Sequence, residues 1–107
     1  MQIQSLSEID KLKEEGVSFF IYFSAANCGV CQVLKPKLIS MMAEKYAKIK
    51  ACQVDTAMHP DIAAQLGFYT NPSFIIYLRG QEYIRRSRSI SLQELDQSLE
   101  RPYKLMF

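Results

Sequence analysis

From Val17 to Phe23 the chain reads Val-Ser-Phe-Phe-Ile-Tyr-Phe, apolar or aromatic at every position but Ser18. A run so short, with no polar alternation, predicts a strand buried on both faces of a mostly parallel sheet, and hence its central strand. Upstream, Ile3, Leu6, Ile9 and Leu12 recur at helical spacing. Ser5 and Glu8 have the Ser-x-x-Glu form of a capping box, so a helix is expected over 6–15, stopped by Gly16, with a short strand at 2–4 before it. Downstream, Val33, Leu34, Leu38, Met41, Met42, Tyr46 and Ile49 trace a long amphipathic helix beginning near Gln32. Pro36 removes a backbone donor from it and predicts a kink. The methionines on that stripe read as core, since an unbranched thioether fills irregular gaps.

Ala51 to Asp55 reads as a further strand, and His59-Pro60-Asp61 opens a brief helix carrying Ile62, Ala63 and Leu66 up to Gly67. Ser73 to Leu78 and Gln81 to Arg86 are two strand-like runs separated by Arg79-Gly80, which predicts an antiparallel hairpin. Ser91 with Glu94 forms a second capping box, opening a last helix through Leu92, Leu95 and Leu99 that is expected to end at Pro102. The tail, Tyr103 to Phe107, is apolar for a terminus. This order of elements predicts an α/β domain with helices on both faces of the sheet.

At 107 residues the chain is the size of one domain, 1–107, and no repeat or linker interrupts it. It carries 13 basic and 11 acidic residues, a net charge of +2, which is a weak footprint for nucleic acid. Arg79, Arg85, Arg86 and Arg88 form the single charge cluster; on an edge hairpin they read as a solvated face that blocks edge pairing, with attraction of acidic substrates as the competing role. No apolar run approaches a membrane span, and the first residues show neither a basic leader nor an apolar core, so a cytoplasmic protein is expected. Three cysteines do not make a secreted disulfide framework but do leave room for a redox or metal pair.

That pair is Cys28-Gly29-Val30-Cys31, where the apolar run gives way to the second helix. A thiol at the opening of a helix faces unpaired backbone N–H groups and the positive end of the helix dipole, which favours thiolate. A second sulfur three residues on lies about one turn away, near enough to close a disulfide. Reversible dithiol chemistry follows. The rival is half a zinc site; a tetrahedral site would need Cys52 and His59, the lone histidine, to converge on the pair, and the predicted strand around Cys52 lies well away from the helix start. Cys52 otherwise reads as a small buried hydrophobe and His59 as a helix-start residue.

The strand, the Cys-x-x-Cys pair, the helix with Pro36, then Val54-Asp55, Asn71-Pro72 and an apolar hairpin ending at Gly80 together resemble the thioredoxin family over essentially the whole chain. The resemblance implies a thioredoxin fold, a central mixed β-sheet of four to five strands flanked by about four helices. It implies that Cys28 is the nucleophile, Cys31 the resolving thiol, and Cys28-Cys31 a redox-active disulfide, with no bound cofactor or metal. Asn27, Gly29 and Val30 fall in the active-site loop. Pro72 falls on the family's cis-proline, and Asn71 on the backbone that pairs with an extended substrate, although turn chemistry explains Asn71 equally well. Protein disulfides as substrates, a reductase as electron donor and a monomeric state are implied, without nucleic acid or membrane; glutathione is a third possible partner.

The chain also departs from the family. Val30 stands where a proline is usual, restoring a backbone donor at the helix start; Asn27 replaces a tryptophan; Tyr22 and Ala51 replace a buried aspartate and a nearby lysine. A phenol that titrates near 10 does not act as a base for Cys31 at neutral pH. Arg86-Ser87-Arg88-Ser89 stands where a glycine-bearing loop is usual. The expected function is therefore a thiol-disulfide oxidoreductase reducing protein disulfides, and the alternative is a thioredoxin-fold binding or redox-sensing module with weak or no reductase activity.

Overall fold

The computed structural model describes residues 1–25, 29–87 and 91–107. Eight elements follow in the order α1 (Leu6–Glu14), β1 (Phe19–Ser24), α2 (Gly29–Lys45), β2 (Lys50–Asp55), α3 (Pro60–Gln65), β3 (Ser73–Leu78), β4 (Gln81–Ser87) and α4 (Leu92–Met106). The strands form one mixed sheet in the order β2-β1-β3-β4. β1 pairs parallel with β2, through Ile21 opposite Cys52, and antiparallel with β3, through Ile21 opposite Ile75. β3 and β4 are the antiparallel hairpin. This is the thioredoxin fold, with a sheet of four strands.

The unbroken apolar run of β1 is explained by its two faces. Because successive side chains on a strand point to opposite sides, Phe19, Ile21 and Phe23 meet Ile9 and Leu12 of α1 and Ile62 of α3, while Phe20 and Tyr22 meet Leu38 and Met42 of α2 and Leu95 and Leu99 of α4. These five β1 residues are each at most 1% exposed. Met42 belongs to the core, and Met41 packs against it.

Four boundaries differ from expectation. The strand at 2–4 is reduced to a single bridge between Gln2 and Gln53, because the chain turns into α1 at Leu6. At α1, Ser5 does not cap the helix: its Oγ pairs with Ser7 Oγ at 2.9 Å, and Glu8 Oε2 accepts from the Gln4 N–H instead of closing a box. The second capping box has its expected first bond, from Glu94 N–H to Ser91 Oγ at 3.2 Å. α2 begins at Gly29 and ends at Lys45, so Tyr46 and Ile49 fill the core from the following turn.

The largest difference is at Pro102, which lies inside α4 rather than at its end. A helical proline deprives the carbonyl four residues earlier of its partner. Here that carbonyl, on Ser98, accepts instead from the Tyr83 hydroxyl of β4 at 2.9 Å. The apolar tail is thus helical as far as Met106, and Tyr103 meets the Tyr46 ring edge-on at 5.0 Å.

Asp96 fastens α4 to the end of α2. Its carboxylate accepts from Lys45 Nζ and from the Tyr46 hydroxyl, each at 2.5 Å. The Lys45 and Tyr46 hydrogen bonds hold its carboxyl below the usual 3.8. A carboxyl lowered on folding contributes stability that is complete above its unfolded pKa and lost as pH falls through the folded one. Wild type should therefore exceed Asp96→Asn in urea stability at pH 7, and the gap should close on acidification below about 4; a gap equally wide at pH 3 would contradict this role.

Candidate active site at the head of α2

Three segments converge where β1 ends. The Ser24 carbonyl accepts from Thr56 N–H at 3.0 Å and from Thr56 Oγ1 at 3.3 Å, and Asn71 Nδ2 donates to Thr56 Oγ1 at 3.0 Å. Thr56 therefore ties the loop before β3 to the strand that leads into the cysteines. The Asn71-Pro72 peptide is cis, with Asn71 exposed and Pro72 buried. Next to it, Ser73 is fully buried, donating to the Thr70 carbonyl and pairing with Ser87 Oγ at 3.1 Å. The Asn71 side chain thus holds a long-range structural contact that neither turn chemistry nor substrate contact anticipates.

Cys31 sits in the first turn of α2 and is 2% exposed. Gly29 opens the helix and is exposed; a Cβ there would meet nothing within 4 Å. Asn27 and Cys28, and the side chain of Val30, lie outside the described residues, and with them the expected Cys28-Cys31 pairing and the position of Arg88.

Tyr22 lies on the sheet face covered by α2 and α4, fully buried, and among the described residues its hydroxyl has no hydrogen-bond partner. Burial raises its pKa above the usual 10.0. The phenol stays protonated and is unavailable as a base. A buried hydroxyl without a partner forfeits its hydration, so Tyr22→Phe should be neutral to stabilising by up to about 1 kcal/mol, seen as a higher urea midpoint. A clear loss of stability would mean the hydroxyl holds a partner.

Cys52 is fully buried on the opposite face, and desolvation pushes its thiol above the usual 9.0. His59 precedes Pro60 at the start of α3, half-buried, without a side-chain capping bond. Arg85 is engaged structurally: it makes two bonds to Glu82, donates to the Leu66 carbonyl at 2.7 Å and lies 5.0 Å from the Phe68 ring centre. Arg86 donates to the Arg85 carbonyl, and Arg79 adopts a left-handed backbone in the hairpin.

Two depressions flank this region. One, of about 350 Å³, runs along Pro60, Ala63, Phe68, Tyr69 and Asn71, with Tyr69 82% exposed. The other, of about 450 Å³, has Cys31 in its wall together with Ser24, Lys35, Asp55 and His59. Neither the Thr56 link nor the second cavity was signalled by any motif.

The Thioredoxin family model matches residues 7–101. The chain belongs to the thioredoxin family. Among its relatives, a thioredoxin-like protein of Bacillus subtilis, YdfQ, is 26% identical over 96% of this chain and 91% of its own length. An H-type thioredoxin of Fagopyrum esculentum is 33% identical over 73% of this chain and 66% of its own. Among solved structures, thioredoxin from Trypanosoma brucei brucei superposes with a TM-score of 0.80 at 21% identity, over 97% of this chain and 90% of that one. Oxidised thioredoxin O2 from Arabidopsis thaliana gives 0.78 at 19% identity, over 96% and 93%. Family and fold together support a thiol-disulfide oxidoreductase in general.

Proposed function

We propose that this protein reduces protein disulfides through Cys28 and Cys31. Cys28 directly precedes α2, where the positive end of the helix dipole favours its thiolate. The Cys28 thiolate attacks one sulfur of a substrate disulfide, forms a mixed disulfide and expels the other substrate sulfur as thiolate. Cys31 then attacks the Cys28 sulfur as thiolate, closing Cys28-Cys31 and releasing the second substrate thiol. The substrate gains two electrons, the pair loses two, and a reductase partner restores them. Asn71 and Pro72 offer the backbone for an extended substrate, and Asn27, Gly29 and Val30 are the chain neighbours of the nucleophile. No metal or organic cofactor enters the scheme. We place the protein in the cytoplasm as a monomer, where reducing conditions keep the pair available as dithiol.

The observation that carries this reading is the placement of Cys31: nearly buried in the first turn of α2, three positions after Cys28, beside a strand end that Thr56 ties to the Pro72 loop. A buried thiol suits resolution rather than first attack. The second reading, a binding or sensing module, is favoured by one observation, the buried phenol of Tyr22, which has no partner among the described residues.

Insulin reduction separates them. Wild type should precipitate insulin with dithiothreitol or with a reductase and NADPH, and Cys28→Ser should fall to the background of the reductant. No activity with either donor removes the enzyme reading. The pH dependence of Cys28 alkylation gives an independent check: a midpoint clearly below about 8.5 supports the enzyme, and one at that value the module.

A further inference from the structure

We propose that Thr56 is a positioning residue for the reduction of protein disulfides. Its hydroxyl braces the backbone at Asn71 and Pro72 against the strand that leads into the cysteines, so that a protein substrate meets that backbone already in place. The role rests on the reading of Cys28 and Cys31 as a reductase pair, and it falls on a residue that no cysteine or proline pattern marks.

The brace uses both the backbone and the side chain of one half-buried residue. Thr56 N–H donates to the Ser24 carbonyl at 3.0 Å, one residue past the Ser24–Asp55 pair, and so continues the parallel ladder of β1 and β2. Its hydroxyl lies 3.3 Å from the same carbonyl and 3.0 Å from Asn71 Nδ2. A hydroxyl carries one hydrogen and two lone pairs. It therefore donates to Ser24 and accepts from Asn71 at once, which no aliphatic side chain can do. Ser24 stands four residues before Cys28, and Asn71 directly before Pro72. On the other side of Pro72, the fully buried Ser73 donates to the Thr70 carbonyl and pairs with Ser87 of β4 at 3.1 Å. The segment is thus tied to β1 before Pro72 and to β4 after it.

The brace serves placement more than stability. Without the hydroxyl, the Ser24 carbonyl keeps the Thr56 N–H, and the amide of exposed Asn71 turns to water, so no buried group is stranded and folding loses little. What is lost is the fixed position of a backbone with which an extended substrate pairs. A segment left free must be ordered when the substrate binds, a cost that a preorganised one avoids. A protein disulfide whose chain runs along Asn71 meets that cost. A small disulfide without peptide groups does not.

The test compares two oxidants of the prereduced protein, insulin and bis(2-hydroxyethyl) disulfide. In each, a disulfide takes two electrons and becomes two thiols while Cys28 and Cys31 become a disulfide; alkylation and mass measurement at successive times give the two rate constants. Thr56→Val keeps the shape and drops the hydroxyl. It should react roughly fivefold more slowly with insulin, the worth of one net hydrogen bond, and as fast as wild type with the small disulfide. Thr56→Ser, which keeps the hydroxyl, should restore the insulin rate, and Thr56→Ala gives the same readout as valine if the valine variant does not fold. Asn71→Ala removes the other end of the brace, so adding Thr56→Val to it should slow insulin no further. The role is overturned if loss of the hydroxyl slows both oxidants equally or neither, if serine fails to restore the rate, or if the losses at the two positions multiply. A wild type that does not react with insulin defeats the reductase reading itself, and the role of Thr56 with it.

Discussion

Cys31→Ser is expected to stop turnover in insulin reduction while accumulating mixed disulfides between Cys28 and substrate, visible as covalent complexes that dithiothreitol dissolves. The reason is the division of labour proposed for the two thiols. With Cys31 nearly buried, the substrate disulfide meets Cys28 first, and the second step is intramolecular, so the effective concentration of the resolving thiol far exceeds that of any thiol in solution. Serine removes that step and leaves the first intact. Serine puts a hydroxyl where a nearly buried sulfur stood, so the thermal midpoint of the reduced protein should fall modestly while the protein stays folded. Complexes that collect instead on Cys28→Ser would invert the assignment of the two thiols.

Gly80→Ala is expected to destabilise the protein by about 3 kcal/mol, a large share of a small domain's margin of roughly 5–15 kcal/mol. Two independent causes add. Gly80 has φ of 81°, a left-handed conformation that costs a residue with a Cβ about 1–2 kcal/mol. The added Cβ would also lie 2.3 Å from the Lys13 carbonyl oxygen and 3.3 Å from Gly16 Cα, where the hairpin packs on the end of α1. Backbone cannot yield as a flexible side chain does, and forced overpacking costs about 1–3 kcal/mol. Gly80 N–H meanwhile donates to the Val17 carbonyl at 3.0 Å, so the hairpin cannot simply lift away. Gly16→Ala is the control: its φ is 69°, but a Cβ there meets nothing within 4 Å, so only the conformational part should appear. Thermal melts of both variants check this, and equal losses would show that the close approach to Lys13 is not what matters.

The strongest signals in the sequence were those in which one residue type has one use. The unbroken apolar stretch of β1 had to be buried on two sides, and it is. Arg79-Gly80 between two strand-like runs had to be a tight hairpin, and both residues have positive φ. Local patterns with several possible partners were less secure. Ser5 and Glu8 carry the letters of a capping box, yet Glu8 reaches Gln4 and Ser5 reaches Ser7, because side-chain acceptors choose among neighbouring donors that sequence does not rank. Pro102 reads as a helix end by every local rule, and is not one because a tyrosine far earlier in the chain meets the orphaned carbonyl.

The same reason limits the site. Cys28, Cys31 and Pro72 could be picked out because each belongs to a recognisable local pattern. The Ser24–Thr56–Asn71 link joins residues 32 and 15 positions apart. The cavity beside Cys31 is lined by residues of segments that come together only on folding, none of which is unusual where it stands. Asn71 illustrates the boundary: the sequence leaves it between turn chemistry and substrate contact, and its bond to Thr56, 15 positions away, belongs to neither.

Tyr83 and Pro102 make a bargain across the fold, a hydroxyl from the hairpin in exchange for an amide hydrogen the helix lacks. Such a pair should leave a trace in evolution. Among relatives that keep a proline at this point of the last helix, a hydroxyl or other donor should recur at the hairpin position. Where the proline is replaced, the Ser98 carbonyl regains its own helical partner, and the hairpin residue is free to drift.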